Sequence, residues 1–203
     1  MSKKLAILLV EGDTEFAFYK RLINYLNQFN SEELFSEIKY INMHGIGGYC
    51  HKASRKINYE VLPHYPGYEI VVFFCYDMDV FYYEKRPPVN WKEVEKALKE
   101  YGMRCYHMKA KSSIESWFLL DKEGVCRYLK IPENTKLVGK SDYDKLTVLF
   151  KKGNRVYVKG KNKKAEEFIN FLDMSKIMQN ICIQLKPLCK YCGIKCNEKK
   201  RCF

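Results

Sequence analysis

The sequence predicts an α/β protein: a central, mainly parallel four-stranded sheet flanked by helices, followed by a mostly helical C-terminal segment. Three observations predict it. Strand-length apolar or alternating runs recur through the first half, at Leu5 to Val10, Ile38 to Met43, Glu69 to Asp77 and Met103 to Met108. Stretches with helical apolar spacing separate them, which is the alternation that right-handed crossovers between parallel strands produce. Beyond Asp121 the strand-like runs stop and helical periodicity takes over.

Each element has its own justification. Leu5 to Val10 is continuously apolar, as a strand covered on both faces should be. Gly12 permits a tight turn, Asp13 or Thr14 can cap the next helix, and Phe16, Tyr19, Leu22, Ile23 and Leu26 define that helix from about Thr14 to Phe29. Ile38 to Met43 alternates and reads as a strand; His44-Gly45-Ile46-Gly47-Gly48 is a turn, and Tyr49 to Val61 a helix. Glu69 to Asp77 is the strongest strand. Asn90 and Glu93 have capping-box spacing before a helix that carries Trp91, Val94, Leu98 and Tyr101 on one face. Met103 to Met108 is the fourth strand and Ser112 to Leu120 a helix. Later helices are expected over Ser141 to Lys152, capped by Ser141 with Asp144, over Lys164 to Leu172, and over Ser175 to Leu185, which Pro187 should close. The organisation expected is a sheet domain over 1–122, a helical extension packed on it over 123–188, and a cysteine-rich tail over 189–203.

Composition narrows the class. The 203 residues are 47% hydrophobic and 15% aromatic, enough for one sizeable core. Lys and Arg number 36 against 24 Asp and Glu, a net charge of +12. That excess favours a polyanionic partner, nucleic acid first and an anionic membrane surface second, although a lysine-rich solvated surface would give the same balance. No apolar run approaches the ~18 residues of a membrane span, and Met1 to Val10 is too short for a signal peptide. A cytoplasmic protein is expected, and the scattered Cys50, Cys75, Cys105, Cys126 and Cys182 suit reduced thiols. Cys189, Cys192, Cys196 and Cys202 stand apart as C-x2-C-x3-C-x5-C, either a structural Zn2+ site or a cysteine-rich tail without one.

Two acidic clusters carry the functional signal. Glu11-Gly12-Asp13-Thr14-Glu15 lies directly behind the first strand and Asp77-Met78-Asp79 behind the third. In open parallel sheets ligands and catalytic groups gather at that rim. Glu15 lies one helical turn beyond Glu11, and Asp77 and Asp79 would project together from extended chain. Each acid taken singly reads as a cap or turn former. Taken together at two strand exits, they need a divalent cation to offset their repulsion, and hard oxygen donors without His or Cys select Mg2+ or Mn2+. Lys109 and Lys111 flank the same rim, as solvated lysines or as groups that stabilise transition-state charge. Seven basic residues, Lys151, Lys152, Arg155, Lys159, Lys161, Lys163 and Lys164, surround Tyr157 and two glycines. That stretch reads as a backbone-gripping loop with a stacking ring, or as a charged surface hairpin. Trp117 and Phe118 read as core, and no histidine has ligand spacing.

These residues resemble the TOPRIM domain, a Rossmann-like fold. The resemblance rests on Glu11-Gly12-x-Thr14-Glu15, the Gly45-Ile46-Gly47-Gly48 turn and Asp77-x-Asp79, and covers roughly residues 4 to 122. The form of the first motif and the segment Ile114-Glu115-Ser116-Trp117-Phe118-Leu119 are most similar to the OLD-like and RloB-like nucleases. The resemblance implies a metal-dependent endonuclease acting on DNA or RNA, plausible as an effector of phage defence. It implies Glu11, Asp77 and Asp79 as catalytic residues, with Glu11, Glu15, Asp77, Asp79 and Glu115 around one or two ions; Lys109 is added to the catalytic set from its place at the rim. No topoisomerase-length domains or ATPase domain accompany these motifs, so the implied protein works alone, as a homodimer, or with a separate ATPase or sensor protein. Two alternatives remain at this point: a non-catalytic nucleic-acid-binding module like the recombination mediators, and a haloacid-dehalogenase-like phosphatase using Asp77 as nucleophile. The later acidic pair expected for the phosphatase is missing.

Overall fold

The computed structural model describes residues 3–28, 37–83, 88–159 and 162–191, with the side chains of Tyr83, Asn162 and Lys163 excepted. Four strands, β1 (Lys4–Val10), β2 (Glu37–Asn42), β3 (Glu69–Asp77) and β4 (Arg104–Ala110), form one parallel sheet in the order β2-β1-β3-β4. The apolar runs become the two central strands, and every residue from Leu5 to Val10 is fully buried. Both faces of β1 and β3 are covered, which is why these strands are continuous in apolarity rather than alternating.

Side-chain alternation sorts the core into two layers. Ala6, Leu8, Val10, Val71, Phe73 and Cys75 face helix α1 (Asp13–Asn27) and the C-terminal helices. Leu5, Ile7, Leu9, Val72, Phe74 and Tyr76 face α2 (Gly48–Lys56) and, later in the chain, Val94 and Leu98 of the helix over Trp91–Lys99. The helix after β1 therefore lies on one face and the helices after β3 on the other. At the C-terminal ends of β1 and β3 the outgoing chains diverge to opposite faces, the position at which open parallel sheets form a ligand crevice.

Local details depart from expectation at several points. Gly12, not Asp13 or Thr14, occupies the cap position of α1 and makes no side-chain cap; Asp13 Oδ1 instead accepts from Asn42 Nδ2 at 2.8 Å, tying the turn to β2. The turn after β2 runs through positive φ at His44 (57°) and Gly45 (94°), and a Cβ on Gly48 would fall 1.9 Å from the Met43 carbonyl oxygen, so only glycine lets α2 start there. α2 widens into a π-type turn over Ile57–Val61, accounting for the helical apolar pattern up to Val61. A short helix α3 (Asp79–Tyr83) comes after β3, and α4 (Trp91–Lys99) starts at Asn90 without the anticipated side-chain cap.

The remaining helices are α5 (Ile114–Phe118), α6 (Lys122–Leu129), α7 (Asp142–Lys152), α8 (Asn162–Phe171), α9 (Met174–Ile181) and α10 (Lys186–Tyr191). α6 has no counterpart among the helices that periodicity predicts. It begins at Asp121, whose side chain accepts from the Gly124 N–H. The capping box of α7, Ser141 with Asp144, forms as the spacing indicates. Pro187 does not end a helix but sits in the first turn of α10, where its missing N–H costs nothing. Residues of α5 to α10 share one apolar core with α1 and the sheet. Among the described residues, no helix is long and apolar enough to cross a membrane.

Candidate functional site

Strand register explains how the two acidic clusters meet. β1 and β3 pair in parallel with Val10 beside Cys75, so the next residue on each strand, Glu11 and Tyr76, are neighbours at the crevice. The Asp77 N–H donates to Glu11 Oε1 at 2.8 Å, a bond that fixes the first carboxylate over the end of the third strand. Glu15 enters from the first turn of α1 and Glu115 from α5. The two helices are locked together three residues further on: Phe18 meets Phe118 at 5.7 Å and Trp117 at 5.4 Å between ring centroids. Three-residue helical spacing turns each glutamate toward the same side as its aromatic anchor.

The result is a set of acids withdrawn from water. Glu15 is 2% exposed, Asp77 4% and Glu115 0%. Into their midst reaches Lys159, whose Nζ lies 3.2 Å from Asp77 Oδ2 and 3.8 Å from both Glu15 Oε1 and Glu115 Oε1. Tyr157, two residues earlier, donates its hydroxyl to Glu115 Oε1 at 3.1 Å. Glu15 Oε1 and Glu115 Oε2 are buried and accept no hydrogen bond. Buried oxygens left in this state are costly.

The titration behaviour records the same strain. Burial pushes the carboxyls of Glu11, Glu15 and Asp77 up to about 7 each. Mutual repulsion adds to burial in all three, while Lys159 pulls each back, and the Asp77 N–H also lowers Glu11. Burial works to lower the Lys159 ammonium, but Glu115, Asp77 and Glu15 outweigh it and raise it. The one ammonium does not cancel the effect of burial on Glu11, Glu15 and Asp77.

Asp79 is placed differently from the expectation. β3 ends at Asp77, and Asp79 opens α3, where its Oδ1 accepts from the Val80 N–H at 2.7 Å. It is therefore not presented with Asp77 from extended chain, though its charge still raises Glu11. Lys109 and Lys111 are exposed, and among the described residues neither pairs with the acids. The lysine that enters the cluster is Lys159, expected from the sequence to lie on a nucleic-acid loop. Tyr157 is likewise no free stacking ring: it is 7% exposed and packs on Phe150 at 5.1 Å. A signal for Tyr157 is present in the sequence: it stands between Val156 and Val158, which are exposed while Tyr157 is buried. Lys159 is 43% exposed at its side chain and reaches the acids only with its ammonium end.

The other expected groups divide between surface, core and tail. Lys151 and Lys152 are exposed at the end of α7, and Arg155 and Lys164 are exposed on either side of the Tyr157–Lys159 strap. Lys161 and the Lys163 side chain lie outside the described residues. Cys189 is buried against the core, and Cys192, Cys196 and Cys202 lie outside the described residues. Trp117 and Phe118 are core, as expected.

Among the described residues, no three of His, Cys, Asp and Glu are drawn together closely enough to hold a metal ion as the side chains stand. The donor set nonetheless fits a hard divalent cation: several buried carboxylates on three elements, two orphaned oxygens, and one ammonium already where positive charge is needed. A search of family models, of curated proteins and of solved structures found no match to this chain.

Proposed function

We propose that the chain is a divalent-metal-dependent phosphodiester hydrolase acting on DNA or RNA, built on a TOPRIM-type sheet. The observation that carries this reading is the buried acidic set at the β1/β3 crevice, in a chain of net charge +12. A protein that merely binds an anionic backbone gains nothing by burying carboxylates beside it.

Glu11, Glu15, Asp77 and Glu115 would hold Mg2+ or Mn2+, with Asp79 at the margin. When bound, such ions activate water and stabilise the leaving oxygen of a phosphodiester. The protein's own groups supply the rest. The Asp77 N–H orients Glu11, and a carboxyl that titrates near 7 can both take and return a proton at working pH. Lys159 supplies positive charge beside the acids, suited to a phosphate once the acids have another counter-ion. Exposed Lys151, Lys152, Arg155 and Lys164 offer salt-sensitive grip on the backbone.

A second reading is favoured by one observation, the direct ion pairing of Lys159 with the acids. If that ammonium is a permanent counter-ion, the chain is a nucleic-acid-binding module without cleavage. One assay separates the two. Labelled DNA and RNA of several structures are incubated with Mg2+ or Mn2+, using wild type, Glu11→Ala and Asp77→Ala. The hydrolase reading expects cleavage by wild type alone and retained binding by both variants. Cleavage unchanged in the variants, or binding with no cleavage in either ion, removes it.

A further inference from the structure

A cavity of about 870 Å³ opens between α6, α7, α8 and the strap that carries Tyr157 and Lys159. Its volume is in the range of small-ligand sites. It adjoins the acidic set through two residues: Thr14 precedes Glu15, and Tyr157 is the hydroxyl donor to Glu115. Its floor is aromatic, with Tyr128 beside the buried Phe150, Tyr157 and Phe168, and its exposed charged residues are two basic, Arg155 and Lys164, and one acidic, Glu167. The Arg155 guanidinium lies 4.4 Å from the centroid of the Tyr128 ring. Among the described residues no carboxylate pairs with Arg155. An exposed planar cation backed by a ring, with a lysine at the same opening, is complementary to an aromatic group that carries phosphate.

We propose that this cavity receives one base of the substrate strand, stacked against the Arg155–Tyr128 pair, with a neighbouring phosphate held by Lys164. The assignment rests on the nucleic-acid hydrolase reading and names what lies beside the bond presented to the acids. It makes the enzyme one that engages unpaired nucleotides, because a base inside a duplex cannot enter a side cavity without leaving its stack.

The test uses the full chain in EDTA, so that nothing is cut. The probes are 2-aminopurine 5′-monophosphate and a single-stranded oligonucleotide carrying one 2-aminopurine, whose fluorescence falls on stacking. The variants are Arg155→Ala, which removes the planar cation, and Ala165→Phe, which narrows the cavity from α8 without touching the acids. Thermal melting confirms that both remain folded. The expected result is quenching of both probes by wild type, competition between them, and about ten-fold weaker binding in each folded variant. Absence of quenching with either probe, or equal affinity in wild type and both variants, overturns the proposal. Quenching of the mononucleotide alone, with oligonucleotide affinity insensitive to both substitutions, also overturns it and assigns the cavity to a free nucleotide. Failure here with metal-dependent cleavage intact leaves the hydrolase reading standing, whereas quenching without cleavage in any ion leaves the cavity and removes the hydrolase.

Discussion

Glu115 and Asp121 lie six residues apart, both essentially hidden from solvent, and they are bonded in opposite ways. Asp121 uses both oxygens on backbone donors: Oδ1 accepts from the Gly124 N–H at 3.1 Å and Oδ2 from the Asp173 N–H at 2.8 Å, with Lys176 Nζ 3.7 Å away. It thereby joins the first turn of α6 to the start of α9. Glu115 takes one hydroxyl on Oε1 and nothing on Oε2, and its charged neighbours include two further acids. A buried carboxylate saturated by N–H groups serves the fold. One left with an open oxygen among other acids is where the proposed cation would bind.

The sharpest way to break that contrast is to neutralise one acid from each place. Asp77→Asn should cost at least about 10²- to 10³-fold in cleavage rate, while its melting temperature holds or rises because a repelled buried charge is gone. Asp121→Ala should do the reverse, lowering stability by about 2–4 kcal/mol through two abandoned backbone donors, with the activity of the folded fraction retained. Urea unfolding and cleavage assays on the two variants read both effects. Equal loss of stability in the two would erase the distinction.

A smaller effect of the same kind is pH dependence. Glu11, Glu15 and Asp77 titrate near 7 in the folded chain, above the ordinary carboxylate range. The folded state therefore holds more protons than the unfolded state between about pH 4 and 7, and stability falls as pH rises through that window and levels off above it. Without metal, the melting temperature should decline across that interval; with millimolar Mn2+ the decline should flatten. A decline unaltered by Mn2+ would show that the ion does not bind these acids, and no decline in its absence would show that the protein already neutralises them.

Lys159 sharpens the comparison further, at a scale of about 1–2 kcal/mol. Lys159→Met removes the only ammonium ion-paired with the set among the described residues. At pH 8 the variant should melt below wild type in EDTA and show a larger upward shift with Mn2+. No change in either quantity would mean that the ion pairs contribute nothing in solution.

The legibility of each feature in the sequence depends on the range of the forces that make it. β1 and β3 are legible because burial on both faces demands uninterrupted apolar residues, and the carboxylates after Val10 and Tyr76 break those runs abruptly. The meeting of Glu11 with Asp77 requires only adjacency of the two strands. The placement of Asp79 is hidden because the chain turns into α3 at once, so extended-chain alternation no longer applies. α6 is hidden because its start depends on Asp121 accepting from Gly124, where a Cβ would fall 1.9 Å from the carboxylate; nothing nearby advertises that bond. Lys159 stands 82 residues from Asp77, and only packing of α7 and α8 against α1 and α6 brings it home. Its charge marks it as a surface group, and tertiary contact overrides that reading.

Metal-dependent chemistry at the crevice requires that carboxylates from β1, α1 and β3 bind a common divalent ion. Titration of Mn2+ by electron paramagnetic resonance, on wild type and on Glu15→Gln/Asp77→Asn, addresses this without requiring a substrate. The predicted result is saturable Mn2+ binding by wild type that is lost in the folded double variant. Equal binding by the two proteins, or none by wild type at millimolar Mn2+, would contradict it.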